Sequence, residues 1–332
     1  MKLVCAWCKN VIRDGPETVV SHGICLECAE QVGYRGNPVF SGIFRAQLLY
    51  CVPMKTVLEV LRATTEYFTR HGVESPRLNA EHLIAHVLGK KRIELYMEFD
   101  RPLGERELGP LRELIRRRGT GEPLQHLLGT VEFHGRVFAV DARALIPRPE
   151  TELLMELILK EPLPEAPSIL DVGTGSGVIA LTLAAERPAA EVTAVDVSPE
   201  ALALARENAA RLGLAERVRF FQSDLLAAVE GAFDLVVANL PYIPAGEIAG
   251  LSREVQRDPR LALDGGPIGT ELIERLLAEA KAHLRPGGRL VLEIGHDQAV
   301  PLAAALERQN YRDIRPVADY QGILRFLFAI YG

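Results

Sequence analysis

Four consecutive residues, Asn239-Leu240-Pro241-Tyr242, place a carboxamide, a rigid proline and an aromatic ring directly after the apolar run LVVA. That set suits a planar nitrogen, a poor nucleophile because its lone pair is delocalised. The Asn239 side-chain oxygen and a nearby main-chain carbonyl can accept both N–H bonds of an NH2 group while the Tyr242 ring packs on its planar face. The lone pair is then held toward an electrophilic methyl group, and the chemistry reduces to positioning and electrostatics. Asn239, Pro241 and Tyr242 are the candidate catalytic residues, and Leu240 joins them as the candidate substrate-binding tetrad.

Upstream, ILDVGTGSG (169–177) reads as a strand, an acidic residue (Asp171), a glycine loop and a helix start. The loop Gly173-Thr174-Gly175-Ser176-Gly177 is G-x-G-x-G, not the G-x-G-x-x-G of dinucleotide folds, and no lysine follows as in a phosphate loop. With Asp171 at the strand end, it suits a ligand carrying an amino group rather than a pyrophosphate. Glycines there let the backbone approach a ligand where a side chain would block it. Asp196 ends the next strand, 25 residues after Asp171, where a carboxylate can accept both hydroxyls of a ribose. Ser223, Asp224 and Leu225 end the third strand, where an adenine ring would lie. Each piece alone could be an ordinary turn; in order on successive strand ends, they point to S-adenosylmethionine.

Four of the five cysteines sit within the first 28 residues, as Cys5-x2-Cys8 and Cys25-x2-Cys28 with sixteen residues between the pairs. This is the spacing of two knuckles gripping one tetrahedral Zn2+. So small a segment cannot bury enough core to fold alone, so metal binding would supply the folding energy. The alternatives are two disulfides, disfavoured in a cytosolic chain, and a redox C-x-x-C, disfavoured by the absence of a surrounding βαβ pattern.

The 332 residues are 48% hydrophobic and 25% charged, which gives a sizeable core and excludes a disordered chain or a disulfide-dense mini-protein. No apolar run approaches the ~18 residues that span a bilayer. The start, MKLVCAWCKN, is too short in apolar residues for a secretory signal, so the expectation is a cytoplasmic monomer without membrane contact. The net charge of −6, with only RELIRRR (112–118) locally basic, disfavours direct nucleic-acid binding.

The elements that must position these residues follow from periodicity. Residues 1–30 form the cysteine-rich head and 31–53 a linker. A helical domain at 54–125 is predicted from a first helix with Val57, Leu58, Leu61, Tyr67 and Phe68 on one stripe, and a second opening at Ser75-Pro76 with Leu78, Leu83, Val87 and Leu88 inward. Two more helices are expected near 92–99 and 104–118, then a β-hairpin at 131–140 within a connecting segment, 126–165. From 166 onward strands alternate with helices: strands at 169–172, 192–196, 218–222, 235–239 and 290–294, helices near 177–187, 199–213 and 270–284. That is a parallel α/β sheet covered on both faces, finished by an antiparallel pair at 311–317 and 323–330.

NLPY resembles the (D/N/S)-(P/L)-P-(Y/F) signature of methyltransferases acting on planar nitrogens: adenine N6, cytosine N4 and glutamine N5. Alone it is also similar to the ribosomal RNA adenine dimethyltransferases. LIPRPETELL (145–154) and LSREVQRDPRLALDGGPIGTELIERLL (251–277), however, resemble the release-factor glutamine N5-methyltransferases, the HemK/PrmC type, over about 54–332. The resemblance implies a seven-stranded Rossmann-like class I methyltransferase sheet behind a helical substrate-recognition domain. It implies cofactor contacts from Gly173 to Gly177, Asp196, Leu225 and Asn239, and a substrate glutamine in the Gly-Gly-Gln loop of peptide-chain release factors held by Asn239 to Tyr242. Leu240 stands where proline is commoner, and the cysteine head lies outside that family's pattern. The rival readings are a ribosomal-protein glutamine or nucleic-acid adenine N6 methyltransferase and, in a different class, a non-catalytic zinc-headed scaffold.

Overall fold

The computed structural model describes residues 55–332 in full, and the backbone of three short strands near the N-terminus, β1 (Lys2–Cys5), β2 (Val11–Arg13) and β3 (Val20–Gly23), ordered β2-β1-β3. Cys8, Cys25 and Cys28, and the side chain of Cys5, lie outside the described residues, as does the expected linker at 31–53. The chain divides into two compact units, 1–70 with 74–113, and 71–73 with 114–332.

In the first unit, α1 (Val57–Arg70) opens on a capping box. The Thr56 N–H donates to Glu59 Oε2 at 2.8 Å and the Glu59 N–H donates to Thr56 Oγ1 at 3.3 Å, so two orphan donors are met reciprocally. It buries Val57, Val60, Leu61 and Phe68. Leu58 and Tyr67 are only half-buried. The second helix, α2 (Pro76–Leu88), starts on proline and stops at Gly89, which takes the left-handed conformation that glycine tolerates best. Its inner face differs from the predicted one. Leu78 is exposed, while Ala80, Leu83 and Ile84 are buried beside the polar Asn79 and Glu81. Those two satisfy themselves locally: Asn79 Nδ2 donates to the Glu74 carbonyl at 2.9 Å, and Glu81 accepts from Arg77 at 2.9 Å and from the Tyr96 hydroxyl at 2.7 Å. Apolar spacing could not reveal a face partly built from paired polar groups. The expected helix near 92–99 is a 3-10 turn, Arg92–Met97, with Leu95 its one buried residue. The division between units falls inside α3 (Glu105–Gly119).

The second unit adds α4 (Leu124–Leu128) and then the hairpin β4 (Thr130–Phe133) and β5 (Arg136–Ala139). Both turn residues, His134 and Gly135, have positive φ (48° and 71°), as a two-residue type I′ connection requires. The expected connecting segment instead contains a helix, α5 (Pro149–Leu159), with Pro149 in its first turn and Leu153, Leu154, Met155 and Ile158 buried.

The sheet follows: β6 (Ser168–Val172), β7 (Glu191–Asp196), β8 (Val218–Gln222), β9 (Phe233–Ala238), β10 (Leu284–Glu293), β11 (Tyr311–Ala318) and β12 (Leu324–Tyr331). Its order is β11-β12-β10-β9-β6-β7-β8, with β12 alone antiparallel to its neighbours. This is the class I methyltransferase arrangement. One face carries α5, α6 (Val178–Glu186) and α7 (Pro199–Arg211) over Ile169, Leu235 and Val237. The other carries α8 (Glu271–Ala280) and α9 (Ala299–Arg308) over Leu170, Val236 and Ala238. The strands are apolar on both sides because both faces are covered. Among the described residues no helix is long and apolar enough to cross a membrane.

Candidate active site

The strand order reverses between β6 and β9, and open α/β sheets bind ligands at that switch point, beyond the carboxyl ends of the strands. Parallel pairing sets Val172 opposite Ala238, so the glycine loop and Asn239 leave the sheet side by side. The two loops touch: a Cβ on Gly173 would lie 2.9 Å from Leu240 Cδ2. Leu240 is buried in the core and takes up the space that glycine leaves.

Within the loop the three glycines have different reasons. All have positive φ: 74° at Gly173, 57° at Gly175 and 84° at Gly177. A Cβ on Gly177 would meet Leu181 at 3.0 Å and Ala205 at 3.1 Å, so this glycine serves the packing of α6 on α7. Gly175 faces only Ala144, at 3.9 Å, and is the position where backbone stays open to a ligand. Gly177 caps α6 and its N–H reaches back to Thr174 at 2.9 Å, while Ser176 is buried with its carbonyl accepting from Asn208 at 2.9 Å.

Asp171 is fully buried. Its Oδ2 accepts from Thr174 Oγ1 at 2.6 Å and from the Ala180 N–H at 3.2 Å, but Oδ1 has no partner. Burial pushes its carboxyl up to about 7, with the Asp196 charge adding to the rise. A buried carboxylate oxygen left unpaired beside a glycine loop fits a ligand that brings its own cation. Asp196 is held by the Gly175 N–H on Oδ2 and the Ser198 N–H on Oδ1, each at 2.9 Å, which aims the carboxylate and leaves lone pairs on both oxygens. Burial raises its carboxyl too.

Beyond β8, the Ser223 N–H donates to the Asp196 carbonyl at 3.0 Å, which ties the second and third strand ends together. Leu225 has a positive φ of 48° and a buried side chain in the core. One oxygen of the Asp224 carboxylate, Oδ2, is paired with Arg275 at 3.0 Å on the exposed side.

Asn239, Pro241 and Tyr242 emerge from β9 under tight restraint. A Cβ on Gly265 would lie 2.8 Å from the Pro241 carbonyl oxygen, and one on Gly269 would lie 2.5 Å from that of Tyr242. Gln298 Nε2 donates to the Tyr242 carbonyl at 2.8 Å and to the Gly269 carbonyl at 3.1 Å. Burial pushes the Tyr242 phenol up to about 12, so it stays neutral.

Four partners of the site have no signal in local spacing. Thr151, in PRPET, accepts from Asn239 Nδ2 at 3.2 Å and donates to Glu293 Oε2 at 2.8 Å. Glu293 ends β10, and burial pushes its carboxyl up to about 7. Arg148 pairs with Asp258 at 2.6 Å, locking PRPET onto the Arg-Asp-Pro of the downstream motif. Gln298 is the fourth. Arg148, Thr151 and Asp258 lie in the two stretches that carry the resemblance, and Glu293 is an acid closing an apolar strand at the ligand-binding edge.

A seven-stranded sheet of this order, with a glycine loop and an Asn-Leu-Pro-Tyr turn at its switch point, defines a class I methyltransferase. Comparison with known proteins narrows it. The PrmC N-terminal domain model matches residues 59–129 and the methyltransferase small domain model 148–252. The release factor glutamine methyltransferase of Chlorobaculum tepidum is 44% identical over 284 residues, 82% of this chain and 96% of that protein. That of Deinococcus radiodurans is 46% identical over 278 residues, 82% and 97% of the two chains. A methyltransferase structure from Pyrococcus furiosus aligns with a TM-score of 0.46 at 24% identity, over 59% of this chain and 88% of that one. The chain belongs to the release factor glutamine methyltransferase family.

The buried Asp171 yields a prediction about stability. Its folded-state pKa of about 7 lies above the ordinary 3.8, so the folded chain keeps a proton that the unfolded chain releases. Stability is therefore lost as pH rises through that window. Asp171→Asn retains an oxygen for Thr174 and Ala180 but removes the charge. Without cofactor, calorimetry at about pH 8 should find the variant more stable by roughly 1–3 kcal/mol, with the gap narrowing toward about pH 4. Parallel stability curves for the two chains would refute the role given to burial.

Proposed function

We propose that this chain transfers a methyl group from S-adenosylmethionine to the N5 nitrogen of the glutamine in the Gly-Gly-Gln loop of peptide-chain release factors. What carries this reading is the juxtaposition of the glycine loop with Asn239-Leu240-Pro241-Tyr242 at the switch point, in a chain 44% identical to a release factor glutamine methyltransferase. When bound, S-adenosylmethionine supplies a methyl group activated by its sulfonium. The chain's own residues hold it and aim the acceptor. The unpaired Asp171 oxygen suits the ammonium end, Gly175 leaves the backbone open, Asp196 receives the ribose hydroxyls, and Asp224 and Leu225 meet the adenine. Asn239 Oδ1 and a main-chain carbonyl of the same loop take the two N–H bonds of the glutamine amide. Tyr242 packs on its plane, and Pro241 keeps the turn rigid. Catalysis by such fixed dipoles needs no strong base, since an amide nitrogen acidifies sharply once alkylated and can release its proton to water or a neighbouring carbonyl.

The direct test is transfer of labelled methyl to purified release factor, with ribosomal RNA and ribosomal protein as competing acceptors. Label on the release-factor glutamine supports the proposal; label only on RNA or ribosomal protein replaces it. Asn239→Ala should lower turnover on the order of 10²–10³-fold, as removal of one preorganised polar contact does elsewhere. Turnover within a few-fold of the parent chain would defeat the amide orientation. Asp196→Ala should weaken adenosylmethionine binding by ~1.5–3 kcal/mol, through loss of two charge-assisted hydrogen bonds. An unchanged calorimetric Kd would take Asp196 out of the site.

For the head, the proposal is one structural zinc on Cys5, Cys8, Cys25 and Cys28, supported by the C-x2-C spacing alone. Metal analysis under reducing conditions should find one zinc per chain, and chelation should unfold the head while methyl transfer persists. A metal-free chain would defeat the first half, and loss of methyl transfer on chelation the second.

A further inference from the structure

The side-chain amide of Asn239 has two ends, an acceptor and a donor, and only the acceptor can receive an N–H from a substrate amide. What decides which end faces the substrate is therefore part of the mechanism. A threonine hydroxyl has one hydrogen. Thr151 gives its hydrogen to Glu293 Oε2 at 2.8 Å, so its oxygen can only accept, and at 3.2 Å it accepts from Asn239 Nδ2. The Asn239 amide also lies near enough to the Glu293 carboxylate to lower its pKa. Thr151 thus reads the NH2 end of Asn239, and the oxygen is left for the substrate. Thr151 and Glu293 are each only 3% exposed, so water does not compete for these bonds.

We propose that Glu293, acting through Thr151, is a positioning residue that keeps the Asn239 oxygen turned toward the substrate amide, and that protonation of Glu293 switches this orientation off. The inference rests on the function proposed above and adds to it a residue and a pH dependence. An ionised Glu293 can only accept, and that fixes the direction of every hydrogen in the chain. A protonated Glu293 can donate to Thr151, whose own hydrogen must then find an acceptor, and the available one is the Asn239 oxygen turned inward. The NH2 of Asn239 would then meet the NH2 of the substrate, donor against donor.

The surroundings place this switch in an accessible pH range. Glu293 is faced by Glu150 on α5, whose charge raises its carboxyl, and by Arg325 on β12, which lowers it. Tyr242 also faces Glu293 and is neutral there. Arg325 is shared with Asp319, at 3.4 Å, so it does not neutralise Glu293 outright. Burial dominates and carries the carboxyl up to about 7.

The experiment is steady-state methyl transfer to release factor by the full chain between about pH 6 and pH 9, with cofactor affinity and melting measured alongside. At saturating cofactor the parent chain should show kcat rising with pH through an acid limb near neutrality, while the titration of Asp171 shows separately in the cofactor Kd. Thr151→Val should lower kcat by roughly 10–100-fold with KM changed only a few-fold, and Thr151→Ser should restore most of the rate. Glu293→Gln, which keeps shape but cannot titrate, should abolish the acid limb. A Thr151→Val chain within threefold of the parent, or an acid limb intact in Glu293→Gln, overturns the inference. Should Thr151→Val not fold, the serine and glutamine variants decide alone. A readout independent of substrate is the Asn239 side-chain 15N–1H pair by NMR, which should shift through the same midpoint in the parent chain and stand still in Glu293→Gln. A pair that does not move with pH overturns the inference. Absence of methyl transfer by the parent chain, with that shift present, overturns the proposed substrate instead.

Discussion

The parallel register between β6 and β9 sets Val172 opposite Ala238, and the site depends on it. Register in a two-sided sheet is strongly specified because a slip of one residue exchanges the two faces. Here each face has its own core: Ile169, Leu235 and Val237 pack under α5 to α7, while Leu170, Val236 and Ala238 pack under α8 and α9. A slip would expose neither face to water, since both are covered. It would instead mismatch side-chain volumes in two cores at once and separate Gly173 from Leu240. The contact between those two residues joins the glycine loop to the Asn239-Leu240-Pro241-Tyr242 turn, so the same register that fills the cores fixes the distance between the two loops.

Around that junction the structure accepts an energetic cost. Asp171, Asp258 and Glu293 are buried carboxylates at or near the carboxyl edge of the sheet, and burial raises all three. Only Asp258 has a close cationic partner, Arg148. Stability alone does not explain such groups, since well-packed apolar residues of similar volume are often neutral or better in their place. Each is aimed by hydrogen bonds rather than merely enclosed: Asp171 by Thr174 and Ala180, Glu293 by Thr151, Asp258 by the Ile146 N–H at 3.4 Å. Perturbed acids gathered at the edge where open α/β sheets bind ligands are what a site that orients charge and amide dipoles requires.

Much of this was legible in the sequence, for a physical reason. Asp171 and Asp196 sit in the last two residues of apolar strands, and the glycine loop and Asn239 to Tyr242 follow directly on such strands, so strand and candidate residue are neighbours in the chain. Thr151 and Glu293 act on Asn239 across sequence separations of 88 and 142 residues, respectively to Asn239 and between themselves, and no local spacing encodes that. The same holds for elements. α5 shows no single apolar stripe because Leu153, Leu154, Met155, Leu157, Ile158 and Leu159 form a near-continuous apolar run. α9 was hidden by Pro301 in its first turn, where a missing N–H costs nothing. The exposed Leu78 was misplaced because Asn79 and Glu81 occupy the inner face with hydrogen-bond partners of their own.

The PRPET segment shows why fold and site cannot be separated here. Pro149 starts α5, whose apolar side closes one core of the sheet. One residue before it, Arg148 anchors the downstream Arg-Asp-Pro turn through Asp258; two residues after it, Thr151 orients Asn239. A helix N-terminus is a rigid place for both tasks, because its first turn is fixed by packing rather than by the ligand. The downstream segment in turn returns to the substrate loop, where the Ile243 N–H donates to the Leu263 carbonyl at 3.1 Å and the Gly265 N–H donates to the Ile243 carbonyl at 2.9 Å. The three stretches therefore close a ring of contacts: PRPET to Asp258, residues 258–269 to Asn239-Leu240-Pro241-Tyr242, and Asn239 back to Thr151. In a closed ring, displacement of any one segment strains the other two, and that mutual constraint holds the Asn239 amide in place.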